Sequence, residues 1–144
     1  MSTFVLVHGA WQSSGTWDLL VPLLEKRGHR VITPVLRGLG TDQGRLSRDI
    51  TLMQHVEDVS VELLRCPEQV ILVGHSYAGM IISGVVEPNP APVRRLVFLD
   101  AFIPEDGHSA LDLLPAEVGG YFRGVAREQG DGWRLPVVGR GGAT

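Results

Sequence analysis

Cysteine is the scarcest feature of this sequence, since Cys66 is the only one among 144 residues. A single cysteine excludes an intramolecular disulfide and a cluster of thiolate metal ligands. A chain without disulfides is typical of a reducing compartment. We therefore expect a cytoplasmic protein in which Cys66 is an inert thiol.

An excess of charge of one sign is also missing. The 13 basic and 16 acidic residues are interspersed and give a net charge of −3. This balance argues against the basic surface of a nucleic-acid-binding protein and against a polybasic membrane patch. We therefore expect neither nucleic acid nor a membrane as a partner.

Long apolar runs are absent as well. The first apolar run, Phe4–Val7, follows three residues that carry no basic leader. It is too short for a signal peptide or a membrane-spanning helix. We expect neither at the start of this sequence.

The sequence does contain four short apolar segments that predict buried strands, because each is rich in Val, Ile or Leu on both faces. They are Phe4–Val7, Val31–Val35, Val70–Val73 and Leu96–Leu99. Helical patterns alternate with them over Asp18–Arg27, over Leu52–Arg65 and from just after Ser76 to just before Pro88. This order predicts an α/β fold, with a parallel sheet of about four strands and helices on both faces. Ligands are then expected beyond the carboxyl ends of the strands.

The character of the chain changes after about residue 103. The segment Pro104–Gly107 reads as a turn, and Pro115–Glu128 reads as a helix weakened by three glycines. The last fifteen residues hold five glycines and no periodic apolar pattern. We therefore divide the chain into a core at 1–103 and a second region at 104–144 that ends in an irregular glycine-rich tail.

The segment Val70–Met80 carries the strongest chemical signal. An apolar strand ends in Gly-His-Ser-Tyr-Ala-Gly, and a helix follows at once. This is the context of a nucleophile elbow, a strained strand-to-helix turn that presents a serine hydroxyl above the sheet. Ser76 is the candidate nucleophile, and the Tyr77 N–H at the helix start is a candidate oxyanion donor.

Two other interpretations of this segment compete with the elbow. One is an ordinary buried strand followed by a turn of small residues. The other is a dinucleotide-binding loop, because the glycines at 74 and 79 echo its motif. In that motif the middle glycine lets a pyrophosphate approach, and Ser76 occupies its position. The elbow fits the sequence better than either alternative.

The residues after the first strand, His8-Gly9-Ala10-Trp11, supply the second expected half of the site. An oxyanion hole needs a second N–H donor from an earlier loop at the same sheet edge. Gly9 allows a close backbone approach, and the Ala10 N–H is the better candidate donor. We expect Gly9 and Trp11 to line the substrate pocket. The alternative is an ordinary strand-to-loop turn.

With these motifs the chain resembles the plant methyl esterase and hydroxynitrile lyase group of α/β-hydrolases and its bacterial esterase relatives. The resemblance covers about residues 4–135 and rests on Phe4–Trp11, Pro22–Glu25 with Gly28–Val31, Val70–Gly79 and Val97–Pro104. It implies the N-terminal part of an α/β-hydrolase fold, with 104–144 as the start of a lid. It also implies a serine carboxylesterase-like activity on small carboxylic esters, without a metal or an organic cofactor.

The resemblance also separates esterases from lyases. The lyases of the group carry threonine at the position of Gly9 and glutamate at the position of His75. Both residues therefore favour the esterase, and a hydroxynitrile lyase-like activity ranks below it.

In the family the catalytic acid and histidine follow the serine, after strands that this sequence lacks. We therefore expect a truncated hydrolase without its base, or a non-catalytic fragment or binding module of the same fold.

Several residues of this sequence have side chains of the same type as the missing catalytic acid and histidine. Asp100 lies at the end of a strand and His108 in the turn after it, and they are the low-ranked candidates for acid and base. For Asp100 we favour a structural carboxylate that caps the following turn. His75 is expected to pack beside the elbow. His29 and His55 read as solvated helix residues.

The strand Leu96–Leu99 raises a folding question, because its outer edge lacks a following strand in this sequence. A bare apolar edge is a template for pairing with another chain. We expect self-association through this edge.

Overall fold

The four predicted strands form a parallel sheet in the order β2-β1-β3-β4. Their bounds are β1 Thr3–Val7, β2 Arg30–Ile32, β3 Val70–Ser76 and β4 Val93–Ala101. This arrangement comes from a computed structural model that describes residues 1–137. The prediction of a parallel sheet of about four strands is confirmed.

Several strand bounds differ from the prediction by one to three residues, among them the end of β2 and the start of β4. β2 ends at Ile32 and not at Val35, because Pro34 has no N–H to donate to a sheet ladder. β4 begins at Val93, three residues before the apolar run. Its first half contains two arginines, so an apolar pattern does not identify that half as strand.

Four α-helices accompany the sheet within residues 1–137: α1 Val21–Lys26, α2 Leu52–Leu64, α3 Ala78–Val86 and α4 Ala116–Gln129. Short 3-10 helices lie at Ser14–Trp17 and Gly40–Arg45. The predicted capping box of α2 is present, because the Thr51 hydroxyl accepts from the Gln54 N–H while the Gln54 side chain accepts from the Thr51 N–H. Such a reciprocal pair satisfies two of the N–H groups at the helix start.

Helices cover both faces of the sheet, as predicted. Alternate strand residues point to opposite faces, so Val5 and Leu72 pack with α2 and α3. Leu6 and Val73 point the other way and pack with Trp17 and with residues of α1. The carboxyl edge of the sheet therefore sits above a core that is packed from two sides.

The outer part of β4 is less well covered. Leu96 and Phe98 pack into the core on the α2 and α3 side. Val97 and Leu99 point to the opposite face, where they are 37% and 46% exposed. Within residues 1–137, β3 is the only strand paired with β4, and its other edge carries none.

α4 is continuous over 14 residues, although three glycines predicted a weak helix. Gly119 is buried, and a Cβ on it would lie 3.2 Å from the Leu111 carbonyl oxygen. Glycine there permits a close approach that offsets its conformational cost. Within the described residues, no helix has both the length and the apolar character needed to cross a bilayer.

Candidate active site

Ser76 occupies the sharp bend between β3 and α3. It is the last residue of β3, and one residue, Tyr77, separates it from the first residue of α3. Its φ angle is 55°, in the left-handed region that non-glycine residues rarely adopt. Such a conformation costs about 1–3 kcal/mol and persists only where the surrounding structure enforces it. The bend and its strain are those that the elbow motif predicts.

Glycines on both sides of Ser76 make the bend sterically possible. A Cβ on Gly74 would lie 2.9 Å from the Ala78 carbonyl oxygen, so this glycine lets β3 and α3 approach each other. A Cβ on Gly79 would lie 1.9 Å from the Phe102 carbonyl oxygen. Gly79 therefore accommodates the chain after β4, a partner that the sequence motif did not reveal. The Phe102 N–H donates to the Ser76 carbonyl oxygen at 3.1 Å and holds that chain against the elbow.

The loop after β1 runs directly past the serine. Gly9 is buried, and a Cβ on it would lie 2.9 Å from the Ser76 Cβ and 3.0 Å from the His75 carbonyl oxygen. Ser76 itself is partly exposed. The structure thus places Gly9 and Ser76 side by side at the carboxyl edge of the sheet.

The candidate oxyanion donors at this edge are two backbone N–H groups. The Gly9 N–H donates to the Gln12 side-chain oxygen at 2.9 Å. In contrast, neither the Ala10 N–H nor the Tyr77 N–H has a hydrogen-bond acceptor among residues 1–137. One free donor thus adjoins Gly9 and the other adjoins Ser76, an arrangement that can bind a developing oxyanion.

Backbone strain is concentrated at the same edge. Three non-glycine residues there have positive φ angles: Trp11 at 58°, Ser76 at 55° and Asp100 at 45°. Trp11 lies in the loop after β1, Ser76 ends β3, and Asp100 is the last but one residue of β4. Strained residues often mark functional sites.

Gln12 links the two halves of the site, and the sequence interpretation missed it. Its side-chain oxygen accepts from the Gly9 N–H and lies 3.0 Å from His75 Nδ1. The His75 ring also packs edge-on against Trp17, with centroids 6.5 Å apart. His75 therefore packs beside the elbow, as predicted. No short-range pattern in the sequence signals the role of Gln12.

His55 is buried, so the prediction of a solvated residue is wrong. Its Nε2 lies 2.9 Å from the Arg37 carbonyl oxygen, and its Nδ1 lies 3.0 Å from the Tyr77 hydroxyl. The carbonyl only accepts, so Nε2 carries the proton and Nδ1 accepts from Tyr77. His55 therefore anchors the residue that bears one of the free N–H groups. Its spacing from Leu52 and Val59 places it on the buried stripe of α2, a signal that could have identified it.

Burial also changes the acidity of the tyrosine in this network. It raises the pKa of Tyr77 to about 12, because the phenolate would lose its hydration. The hydroxyl therefore remains a proton donor to His55 at neutral pH.

The Arg37 loop is fixed from the other side by α2. The Arg37 guanidinium binds Asp58 at 2.7 and 2.8 Å and Glu57 at 2.9 Å, while the Arg37 N–H donates to Asp58 at 2.9 Å. The hydrogen bond to Asp58 is the main reason that the pKa of Arg37 is raised. These contacts give Arg37 a structural role, because they join its loop to α2.

The remaining histidines near the amino terminus do not reach the serine. His8 is fully buried, its Nδ1 lies 2.9 Å from the Gly9 carbonyl oxygen, and its Nε2 has no partner among the described residues. Burial lowers the pKa of His8, so the ring is neutral. His29 is half-buried and accepts from the Ser2 N–H at 3.2 Å, which corrects the prediction that it is solvated.

Within residues 1–137, neither Asp100 nor His108 makes a hydrogen bond to Ser76. Asp100 is exposed at a bulge between β3 and β4, and its carboxylate has no hydrogen-bond donor within residues 1–137. The interpretation of Asp100 as a turn cap is therefore wrong. His108 is exposed and lies 3.6 Å from Glu105. No group of three potential metal ligands comes together in the described part of the chain.

Trp11 connects the loop after β1 to the region of α4. It is 50% exposed, and its indole N–H donates to the Leu135 carbonyl oxygen at 2.5 Å. Its ring centroid lies 5.9 Å from that of Phe122 in α4. A cavity of about 320 Å³ lies behind Phe122, between α4 and the segment that contains Leu135. Residues after 103 thus pack directly on the candidate oxyanion loop.

Comparison with known proteins agrees with this geometry. The sequence model of the alpha/beta hydrolase family matches residues 4–142. A carbendazim hydrolyzing esterase from Nocardioides sp. (strain SG-4G) is 45% identical over 120 residues, which cover 80% of this chain and 48% of the relative. An alpha-hydroxynitrile lyase from Arabidopsis thaliana is 38% identical over 107 residues, which cover 73% and 42% of the two chains.

A solved structure shares the fold. It is described as an extracellular alpha/beta-hydrolase from a Paenibacillus species, and it matches with a TM-score of 0.82 and 37% identity. The match covers 90% of this chain and 53% of that one. The resemblance to plant methyl esterases, a hydroxynitrile lyase and bacterial esterases is thus confirmed. The chain spans about half the length of the curated relatives that it matches, with 48% and 41% for two of them.

Proposed function

Because the chain belongs to the alpha/beta hydrolase family, we propose that Ser76 is the nucleophile of a serine carboxylesterase-like site for small carboxylic esters. The observation that carries this proposal is the geometry of Ser76. It lies in a strained turn at φ 55° and beside Gly9, and the N–H groups of Ala10 and Tyr77 have no acceptor among residues 1–137.

The proposed reaction is acyl transfer. The Ser76 Oγ forms a bond to the ester carbonyl carbon while its proton passes to a histidine base, and the Ala10 and Tyr77 N–H groups bind the oxyanion. When the bond to the alcohol breaks, the base returns the proton to the leaving alcohol. Water then attacks the acyl-serine in the same way and releases the carboxylic acid. Each oxyanion donor typically contributes about 10²–10³ in rate.

The base is the part that these 144 residues do not supply. The five histidines of the sequence are His8, His29, His55, His75 and His108. Four have partners other than the serine, and His108 is exposed beside Glu105. We propose that rapid turnover requires a histidine from outside these residues.

Gly9 supports an esterase over a lyase. The lyases of the group carry threonine at this position, as the sequence resemblance implies. A Cβ on Gly9 would already lie 2.9 Å from the Ser76 Cβ, so a threonine does not fit this arrangement. A hydroxynitrile lyase-like activity therefore ranks below ester hydrolysis for this site.

The direct test is hydrolysis of p-nitrophenyl acetate with and without free imidazole. Without imidazole, we expect the 144-residue chain to be no faster than its Ser76→Ala variant, because no base reaches the serine. Imidazole can act as a diffusible base, and we expect the native chain then to exceed Ser76→Ala by roughly tenfold, well below the gain from a positioned base. Subtracting the Ser76→Ala rate removes catalysis by imidazole itself.

Two results would contradict the proposal in different ways. Rapid serine-dependent turnover without imidazole would mean that a base is present and would promote Asp100 and His108. Equal rates for the native chain and Ser76→Ala at every imidazole concentration would remove Ser76 as nucleophile.

The second candidate is a binding module of the same fold without turnover. The observation that favours it is the absence of a histidine at Ser76 within residues 1–137. Binding of a small ester that is unchanged in Ser76→Ala, together with no response to imidazole, is the result expected for this candidate.

We further propose that residues 1–103 form the catalytic core and that residues 104–144 begin a lid. The contacts of Trp11 with Phe122 and Leu135 support a covering role for the second region. Limited proteolysis should cut first between 103 and 116, where the structure has turns and no helix or strand. A first cut inside β1–β4 would contradict this division.

We also propose a cytoplasmic location, on the strength of the single cysteine. The Paenibacillus relative is described as extracellular, so the two chains are expected to differ in this respect. Fractionation of cells that express the protein tests the location, and recovery from the medium would contradict it.

A further inference from the structure

We propose that Gln12 is a positioning residue that fastens the oxyanion loop to the nucleophile elbow. Its side-chain oxygen lies 2.9 Å from the Gly9 nitrogen and 3.0 Å from His75 Nδ1. Gly9 belongs to the loop after β1, and His75 precedes Ser76 in β3. This inference rests on the proposed function, because the loop matters to chemistry only if Ser76 is the nucleophile.

The two hydrogen bonds use the two lone pairs of one oxygen. The Gly9 N–H can only donate, so the Gln12 atom that faces it is the carbonyl oxygen of the amide. His75 Nδ1 then carries its proton and donates to the same oxygen. The Gln12 Nε2 group has no hydrogen bond to any residue in 1–137. The acceptor oxygen is therefore the part of Gln12 that the site uses.

This arrangement determines which amide is left for the substrate. The bond to Gln12 occupies the Gly9 N–H, while the next N–H, that of Ala10, remains free. Trp11 turns back with a φ of 58°, which brings Gln12 close enough to reach residue 9. Gln12 thus fixes the His8–Gly9 peptide plane, which directly precedes the peptide unit that carries the Ala10 N–H.

Three substitutions test this arrangement. Gln12→Leu removes the acceptor but keeps a similar volume. Gln12→Glu keeps an oxygen at the same reach and is the conservative replacement. Gln69→Leu is the matched control, because the Gln69 side chain donates to the Ala91 carbonyl oxygen at 2.8 Å on an exposed surface.

The first readout is amide proton exchange of the full chain, followed residue by residue by NMR. We expect Gln12→Leu to speed exchange at the Gly9 N–H by about tenfold, equivalent to about 1.4 kcal/mol. Exchange at buried amides of β1, such as that of Val7, should stay unchanged. Gln12→Glu should remain within about threefold of the native chain. Unchanged exchange at Gly9 in Gln12→Leu, or an equal loss in both variants, would overturn the proposal.

The second readout is the rate at which a fluorophosphonate labels Ser76 in the presence of imidazole. We expect Gln12→Leu to slow labelling by about tenfold or more, while Gln69→Leu labels at the native rate although it also loses a hydrogen bond. If Gln12→Leu is labelled at the native rate, the positioning role of Gln12 is refuted, while the proposed function of Ser76 is not. If the native chain is not labelled, the proposed function fails, and exchange at Gly9 still decides whether Gln12 fastens the loop.

Discussion

Gly9 and Ser76 are 67 positions apart in the sequence, yet a Cβ on Gly9 would lie 2.9 Å from the Ser76 Cβ. Their strands are neighbours, with Val7 opposite Gly74 in the parallel ladder. Both residues extend just beyond that last pair. The contact between the oxyanion loop and the serine is therefore a direct consequence of sheet register.

Gly9→Ala should disturb the site more than the fold. The added methyl would force the loop away from Ser76 or shift the His75 carbonyl oxygen, and overpacking of this kind costs about 1–3 kcal/mol. We expect a fall of that size in the free energy of unfolding, measured with urea. We also expect that a fluorophosphonate no longer labels Ser76 in the presence of imidazole. Gly44→Ala is the control, because a Cβ there meets nothing within 4 Å. Native labelling in Gly9→Ala would show that the loop is not confined.

Gly79→Ala should be the most destabilising glycine substitution in the core. Its methyl would lie 1.9 Å from the Phe102 carbonyl oxygen, which belongs to backbone and cannot rotate away. We expect a loss of about 3 kcal/mol or more, at the upper end of overpacking costs. Gly120→Ala in α4 has open space at its Cβ and should stabilise the chain by about 0.5–1 kcal/mol. Measured melting temperatures check this prediction: that of Gly79→Ala should lie below the native value and that of Gly120→Ala above it.

Alkaline pH should destabilise the protein through Tyr77. Burial raises the pKa of Tyr77 from the ordinary tyrosine value of 10.0 to about 12. The unfolded chain then releases the phenolic proton more readily, so stability is full below pH 10 and is lost as pH rises towards 12. The total loss is roughly 3 kcal/mol, by the energy equivalent of a pKa shift. Urea unfolding between pH 9 and 11 should show a steeper decline for the native chain than for Tyr77→Phe, and equal slopes would contradict this.

The free edge of β4 should drive self-association. Leu99 is 46% exposed on a strand whose outer edge is unpaired within residues 1–137. A charged residue on such an edge opposes pairing with another chain. We expect Leu99→Lys to shift sedimentation towards monomer, while Leu64→Lys, at an 83% exposed position on α2, has no effect. A native chain that is monomeric at all concentrations would refute the prediction.

The elbow could be predicted from sequence because its determinants are local. Six consecutive residues, Gly74–Gly79, specify the strand end, the strained serine and the helix start. The capping box of α2 is equally local, since Thr51 and Gln54 are three residues apart. Patterns of this short range can be recognised in a single sequence without any knowledge of tertiary contacts.

The contacts that support the elbow could not be predicted in the same way. Gln12 and His75 are 63 positions apart, and their hydrogen bond depends on how a loop turns at Trp11. Phe102 fills the space above Gly79 where the chain leaves β4 after a bulge. Such relationships arise from backbone geometry that no residue pattern encodes.

His55 is an intermediate case. Helical spacing from Leu52 and Val59 predicts a buried position, but histidine is usually assigned to the solvent. His55 can be buried because both of its ring nitrogens have hydrogen-bond partners, the Arg37 carbonyl oxygen and the Tyr77 hydroxyl. A buried polar side chain is stable when its hydrogen bonds are made.

We propose that the Ser76 hydroxyl faces the Ala10 and Tyr77 amides and attacks an electrophile there. This is tested by the mass of the native chain and its tryptic peptides after treatment with a fluorophosphonate and imidazole. We expect one adduct per chain, on the peptide that contains Ser76, and none on the Ser76→Ala variant. Adducts on another serine, or equal labelling of both chains, would contradict it.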